Sequence, residues 1–229
     1  MNVLKLVSVL LEYPRPELWT HVDEVRAATA DPTMLTPPQR VAITGFVEQL
    51  IALDPMEAEE RWLSLFDRGR AMSLLLFEHI HGESRDRGQA MVDLVETYRK
   101  NGFEIEARQL PDYLPLVLEY LSTRPSSEIA DWLKHISHIL ELLAARALER
   151  ESPYAALFEV LVTLANGSVD LALMRRRAAQ EARDDTAEAM DRVWEEEAIR
   201  FGPEAPGEDC DPVTRLPTGA KRFESKVLQ

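Results

Sequence analysis

Apolar side chains recur every three or four residues along most of the chain, in segments that prolines and glycines separate. The first segment places Val3, Leu6, Val7 and Leu10 on one face before Pro14 ends it. This period is typical of amphipathic α-helices, whereas a half-buried strand alternates every second residue, and no segment alternates convincingly. The pattern therefore predicts an all-α protein, a single compact helical domain of about eight to ten helices.

The middle of the chain contains two strongly apolar segments. Residues 72–79 are too short and too crowded with apolar side chains for a solvent-facing helix, so they predict a central helix that Gly82 ends. Residues 111–121 predict another helix, with Leu114 and Leu118 on one stripe. A further helix over 39–53 is expected to bury its apolar residues, which are Val41, Phe46, Leu50 and Leu53.

The composition changes beyond residue 180. Residues 181–211 contain 12 acidic and 3 basic side chains, and prolines recur from Pro203 onwards. The prolines make a packed helix implausible past Gly202. We therefore predict a helical domain over 1–180 and a partly disordered, mobile acidic tail containing prolines over 181–229.

Charge and cysteine content restrict the partners and the compartment. The chain has 26 Lys and Arg residues against 40 Asp and Glu residues, a net charge of −14, which opposes binding to nucleic acid or anionic lipid. A basic or apolar peptide is an electrostatically easier partner than a nucleic acid or an anionic lipid surface. Cys210 is the single cysteine, which suits a reducing, cytoplasmic setting. No segment reaches the roughly 18 apolar residues of a membrane span, so direct membrane insertion is not expected.

One short segment combines several residue types that bind metals or catalyse reactions, Glu78-His79-Ile80-His81-Gly82-Glu83. Histidines two residues apart point to different sides of a helix, whereas the zinc-binding helix motif spaces them four apart. Helix capping and hydrogen bonding to a neighbouring loop explain the same residues more simply. No Gly-x-Ser-x-Gly turn is present to hold a serine nucleophile. We predict no catalytic residue and no metal ligand, with a helical metalloenzyme or hydrolase built on 78–81 as the alternative.

Other residues in the middle of the chain fit a partner-binding groove. An ion pair from Arg85 or Arg87 to Asp112 or Glu119 would fix two facing helices, although surface ion pairs of little energy are commoner. Soft or amphipathic side chains nearby suit either a peptide groove or a plain core. These side chains are Met72, Met91, Tyr113 and Tyr120.

Residues 65–91 read LFDRGRAMSLLLFEHIHGESRDRGQAM, and residues 110–121 read LPDYLPLVLEYL. Both closely resemble the delta-subunit, or NarJ-type, assembly chaperones of respiratory nitrate reductase, within the TorD/DmsD-like redox-enzyme maturation chaperones. The second stretch looks like a signature that chaperones of other molybdenum reductases share, so the first stretch is the basis for the nitrate reductase assignment. Similarity extends from the LLEYP run at 10–14 to the Phe201-Gly202 pair.

The resemblance implies a helical chaperone, not an enzyme, that binds the apo form of the catalytic (alpha) subunit of respiratory nitrate reductase, including its N-terminal segment. It implies support of molybdenum cofactor insertion and enzyme assembly, with cofactor-delivery proteins as further partners. The chaperone itself would need no metal or cofactor. A structural helical adaptor with no part in cofactor insertion is a second alternative.

These lines together suggest how the target is bound. We expect an amphipathic helix of the target to dock in an apolar groove between 72–79 and 111–121. The groove would contain Leu75, Tyr113, Leu116 and Tyr120, with Arg87 and Glu119 at its rim. The full set of predicted partner-binding residues is Leu75, Glu78, His79, Arg87, Met91, Asp112, Tyr113, Leu116, Glu119 and Tyr120.

Overall fold

The computed structural model describes residues 2–31, 35–81, 86–106, 109–165 and 171–197. Twelve α-helices run through these ranges, and the one β-type feature in them is an isolated bridge between Leu75 and Tyr113. The prediction of an all-α fold is confirmed, with more helices than expected. In chain order they are α1 (Val3–Leu11), α2 (Glu17–Thr20), α3 (Val22–Ala30), α4 (Pro37–Ile51), α5 (Pro55–Phe66), α6 (Leu76–His81), α7 (Asp86–Lys100), α8 (Leu114–Leu121), α9 (Ser126–Glu149), α10 (Ala155–Leu164), α11 (Leu171–Ala178) and α12 (Ala187–Glu197).

Local sequence explains where several helices begin. The Asn2 side chain accepts a hydrogen bond of 3.0 Å from the Lys5 amide at the start of α1, and Asp54 accepts one of 3.0 Å from the Met56 amide at the start of α5. These caps satisfy amides that have no partner within the helix. Helices α4, α5 and α8 each carry a proline in the first turn, where a missing N–H breaks no helical bond.

The long helix α9 packs against α10 and α11, and α1 packs against α8. The core between them is built from fully buried aliphatic and aromatic side chains, each leucine contributing about 2 kcal/mol through burial of apolar surface. Its largest fully buried members include Tyr98, Tyr120, Phe158, Leu6, Leu10, Leu11, Leu114, Leu118 and Leu121. The pairing of α1 with α8 is the part of this architecture that forms the site described below.

The prediction of a helix over 72–79 was wrong for its first half, because α6 begins only at Leu76. The Leu74 carbonyl accepts a hydrogen bond of 2.8 Å from the Leu114 amide, and the Leu76 amide donates one of 3.0 Å to the Asp112 carbonyl. The backbone of Leu74 and Leu76 is thus paired with the segment that precedes α8, on either side of Leu75. The helix predicted over 111–121 likewise begins only at Leu114, after the paired residues.

The burial pattern predicted for 39–53 needs one correction. Phe46 and Leu50 are buried as expected, but Val41 is 75% exposed on the solvent side of α4. Leu53 follows the end of α4 and is half-buried against the core. A single apolar residue on a solvent-facing turn is common, so periodicity alone could not exclude Val41 from the core.

The segment after α11 lies against the helical body. Arg146 of α9 donates a hydrogen bond of 2.7 Å to Glu181, and Arg150 pairs with Asp184 at 3.2 Å and Asp185 at 3.3 Å. Helix α12 then follows. The part of the predicted tail beyond residue 197 lies outside the described residues. No helix in the described ranges is both long and apolar enough to cross a bilayer.

Candidate functional site

The structure brings together the two stretches that the sequence singled out. Leu75 and Tyr113 form an antiparallel bridge, and the hydrogen bonds of Leu74 and Leu76 lie on either side of it. This short pairing joins the start of α6 to the start of α8. The predicted site residues near it therefore belong to one local structure.

Asp112 organises this junction from inside the protein. Its exposure is 0%, its carbonyl accepts from the Leu76 amide, and its Oδ2 accepts a hydrogen bond of 3.0 Å from the Phe77 amide. It thereby satisfies two amides in the first turn of α6. Burial raises the pKa of the Asp112 carboxyl, and the Phe77 amide and Arg87 partly offset this rise. Asp112 therefore contacts only other parts of the described chain and is not accessible at the protein surface.

The ion pairs differ from those predicted. Arg87 approaches Glu78 at 3.6 Å, which links α7 to α6, and Glu119 pairs with Lys5, which links α8 to α1. The predicted pairing of Arg87 with Asp112 or Glu119 was therefore wrong. Arg87 pairs with Glu78 instead, and Glu119 pairs with Lys5. Arg85 lies outside the described residues.

His79 is tied to the same junction. Its Nε2 lies 2.8 Å from the Ser73 carbonyl oxygen, so this nitrogen donates and the ring holds the turn before α6. Burial lowers the pKa of His79, because it disfavours the charged form of the ring. Among the described residues, no group of three histidine, cysteine, aspartate or glutamate side chains is arranged to hold a metal ion. Glu83 lies outside those residues.

Tyr120 belongs to the core. Its exposure is 0%, and its ring lies 4.7 Å from the ring of Tyr98 between centroids. Its hydroxyl donates a hydrogen bond of 2.9 Å to Glu128 and accepts one of 3.0 Å from Asn101. Burial and Glu128 together raise the pKa of Tyr120 to about 12. Tyr120 can affect a surface only through the packing of α8.

Tyr113, Leu116 and Glu119 line a half-open groove of about 170 Å³ on the other side of α8. Its opposite wall is α1, held there by a hydrogen bond of 2.7 Å from the Ser8 hydroxyl to the Pro115 carbonyl. We call it the α1–α8 groove. The lining residues from outside α8 and its N-cap are Lys5, Ser8, Val9, Glu12 and Gln109.

Sequence reasoning missed the α1 wall of this groove. It assigned the first helix only to the core, through the apolar face that contains Leu6 and Leu10. The available signal was the spacing of Lys5 and Glu12, which are seven residues apart and therefore on one side of a helix, next to that apolar face. Met91 lies half-buried on α7, and it does not line this groove.

Glu12 is the unusual charge in the groove. Its side chain is half-buried, and within the described chain it makes neither a hydrogen bond nor an ion pair. Burial raises the pKa of the Glu12 carboxyl, and the charge of Glu119 raises it further. The charges of Arg15 and Lys5 lower it. The groove therefore combines the apolar side chains of Val9, Tyr113 and Leu116 with a carboxylate that has no hydrogen-bond or ion-pair partner among the described residues.

A larger cavity of about 400 Å³ lies between α4, α5 and the turn from α9 to α10. Phe46, Leu50 and Tyr154 form part of its apolar lining, and Arg150 at its edge is already paired with Asp185. None of the predicted site residues lines it.

Comparison with known families decides the relationship. A family profile for the nitrate reductase delta subunit matches residues 35–160, which is more than half of the chain. The chain belongs to the nitrate reductase delta subunit family. The match covers every predicted site residue, whereas the α1 wall of the groove precedes it.

Individual members of the delta subunit family are similar over most of the chain. The nitrate reductase molybdenum cofactor assembly chaperone NarJ of Escherichia coli K12 is 51% identical over 201 residues, covering 88% of this chain and 85% of that protein. The probable assembly chaperone NarW of the same strain is 44% identical, covering 88% and 84%. The probable chaperone NarJ of Bacillus subtilis 168 is 29% identical, covering 68% and 84%. The names of these relatives describe chaperones and not catalysts, as predicted for this chain.

Proposed function

We propose that this chain is a cytoplasmic assembly chaperone that binds the apo catalytic subunit of respiratory nitrate reductase and supports insertion of its molybdenum cofactor. The supporting observation is the 51% identity to a nitrate reductase molybdenum cofactor assembly chaperone across 88% of the chain. Cofactor-delivery proteins are the further partners in this proposal. The chain acts by holding the subunit in a state that accepts the cofactor, and it needs no reaction chemistry of its own.

The test of this function is the molybdenum content of nitrate reductase purified from cells that lack the chain. Loss of most of the metal, with restoration when the chain is supplied again, is the expected result. A structural adaptor would leave the molybdenum content normal while assembly or subunit yield falls. Normal molybdenum content would therefore contradict the proposal.

The α1–α8 groove is the proposed binding place for the N-terminal segment of the catalytic subunit. Tyr113 offers apolar contact area, Leu116 adds only a small apolar edge because it is 6% exposed, and Glu119 lies beside them where it can set the register of a bound helix. Burial of apolar peptide surface contributes about 25 cal/mol per Å², from which the cost of ordering the peptide must be subtracted. This proposed site lies between α1 and α8, whereas the sequence predicted a groove between 72–79 and 111–121.

In this proposal the remaining signature residues position the wall of the groove. Asp112 and His79 hold the start of α6, and the Leu75 bridge fixes the residue that precedes α8. Glu78 and Arg87 join α6 to α7. Substitutions at these positions should weaken binding only as far as they disturb the fold.

Calorimetric titration of the full chain with a synthetic peptide from the N-terminus of the cognate catalytic subunit tests this site. Tyr113→Ala should raise the Kd about tenfold, which corresponds to the loss of about 1.4 kcal/mol. Val41→Ala is the control, because Val41 is an exposed apolar residue of α4 outside the groove, and it should leave the Kd unchanged. Equal affinities for the wild type and Tyr113→Ala would exclude the groove as the binding place.

A further inference from the structure

Glu12 is a charged residue of the α1–α8 groove whose side chain has no hydrogen-bond or ion-pair partner among the described residues. Its backbone N–H donates to the Ser8 carbonyl as the last bond of α1, so the position of the residue is fixed by the helix. Its carboxylate lines the groove without a hydrogen bond or ion pair in the described part of the chain. A partly desolvated carboxylate without a partner lowers stability, because it has lost water without gaining a replacement.

Among the described residues, no charged group forms an ion pair with Glu12. Lys5 on the same wall contacts Glu119 on the opposite wall, so these two charges are engaged with each other. Arg15, which is exposed, influences Glu12 electrostatically but makes no ion pair with it. The lining of the groove therefore contains two carboxylates and one ammonium group, and the excess negative charge belongs to Glu12.

The surroundings of Glu12 fit one kind of side chain. Val9, Tyr113 and Leu116 supply apolar surface along the groove, and the carboxylate supplies a negative end. Lysine and arginine have the matching form, since each places an aliphatic stem against apolar surface and a cation at its tip. A hydrogen bond between a cation and a carboxylate is stronger than one between neutral groups.

We propose that Glu12 is the subsite of the α1–α8 groove that receives one cationic side chain of the docked segment, with the aliphatic stem of that side chain against Val9 and Leu116. This inference rests on the proposed function and adds a selection rule to it. The groove would select amphipathic segments with one lysine or arginine at a fixed distance from their apolar face. An apolar segment that lacks this charge would bind more weakly.

The first test is a set of titrations with peptides from the N-terminus of the cognate catalytic subunit. Each lysine or arginine is replaced in turn by norleucine, which keeps an aliphatic stem and removes the charge. For the wild-type chain, one replacement should raise the Kd about tenfold. For Glu12→Gln the native peptide should already bind about tenfold more weakly, and that same replacement should have no further effect.

Glu60→Gln is the matched control. Glu60 is an exposed carboxylate of α5 that lines a different cavity, so its replacement removes the same charge from the chain without touching the groove. This variant should behave like the wild type. If Glu12→Gln and Glu60→Gln give the same affinities for every peptide, Glu12 recognises no cation and the inference is wrong, whereas the proposed groove stands.

A second test does not depend on the peptide. N-acetyl-lysine methylamide and N-acetyl-norleucine methylamide are titrated separately into the full isotope-labelled chain, and backbone amide shifts are followed by NMR. The lysine probe alone should give saturable shifts around Glu12, and these should vanish in Glu12→Gln. Similar shifts from both probes would overturn the inference, whether or not the peptide binds. Failure of the peptide to bind would instead remove support from the proposed groove.

Discussion

At the scale of single residues, Asp112 explains why a carboxylate stands in the middle of an apolar signature. Its Oδ2 accepts a hydrogen bond from the Phe77 amide, its backbone carbonyl accepts one from the Leu76 amide, and the residue has no exposed surface. If a buried amide loses its acceptor, it has given up its hydrogen bonds to water without a replacement, and this lowers the stability of the fold. Asp112 therefore contributes to stability and to the position of α6.

Asp112→Ala should lower the free energy of unfolding by about 1–3 kcal/mol, because the Phe77 amide is left without its acceptor. Asp112→Asn should cost less, since the amide oxygen can still accept that bond and no charge is buried. Urea unfolding followed by circular dichroism measures both changes. A greater loss in Asp112→Asn than in Asp112→Ala would contradict this role.

His79 makes stability depend on pH in a defined direction. Because burial lowers its pKa in the folded chain, the unfolded chain binds a proton more readily. The stabilisation is complete above the ordinary histidine pKa of about 6.5 and is lost as the pH falls through that value toward the lower folded pKa.

The comparison of wild type with His79→Gln isolates this contribution, because all other titrating groups are shared. Between about pH 7 and pH 5 the wild type should lose more stability than the variant, in urea unfolding at each pH. Glutamine can still donate a hydrogen bond to the Ser73 carbonyl. Parallel stability profiles for the two proteins would show that His79 is not the group responsible.

At the scale of elements, residues 181–185 form a clasp between α9 and the turn before α6. Asp184 accepts a hydrogen bond of 2.6 Å from the Ala71 amide and pairs with Arg150, whose side chain is only 11% exposed. Arg146 donates a hydrogen bond of 2.6 Å to the Ala71 carbonyl. Gly69 lies so close that an added Cβ would be 2.6 Å from the Asp184 Cγ.

Gly69→Ala should therefore displace the clasp and lower the free energy of unfolding by about 1–3 kcal/mol. Gly45→Ala is the control, since a Cβ there meets no atom within 4 Å and alanine favours the helix, so stability should stay equal or rise. In an Asp184→Ala background, Gly69→Ala should cost much less. Additive losses in the double variant would mean that the two sites are independent.

Elements governed by periodicity were predictable, and elements governed by pairing were not. The spacing of apolar residues predicted α1 and the end of α8, because their buried faces repeat every three or four residues. Leu75 was placed in a helix because its run is uniformly apolar, and only the bridge to Tyr113 makes it extended. Glu12 was overlooked because its importance depends on the packing of α1 against α8, which composition does not reveal.

At the scale of the whole molecule, the signature stretches form a hydrogen-bonded junction, and the proposed α1–α8 groove lies next to it. The resemblance indicated the family correctly, whereas the proposed position of the groove depends on the contact between α1 and α8. The net charge of −14 favours a basic or apolar partner, in agreement with a groove whose excess charge is negative.

The central claim is that the chain recognises the catalytic subunit before the cofactor is inserted. Calorimetric titration of the full chain with the apo catalytic subunit and, separately, with the cofactor-loaded subunit tests it most directly. We predict saturable binding to the apo subunit that Tyr113→Ala weakens, and binding to the loaded subunit that is at least tenfold weaker. Equal affinity for both forms, or no binding to the apo form, would contradict a role in cofactor insertion.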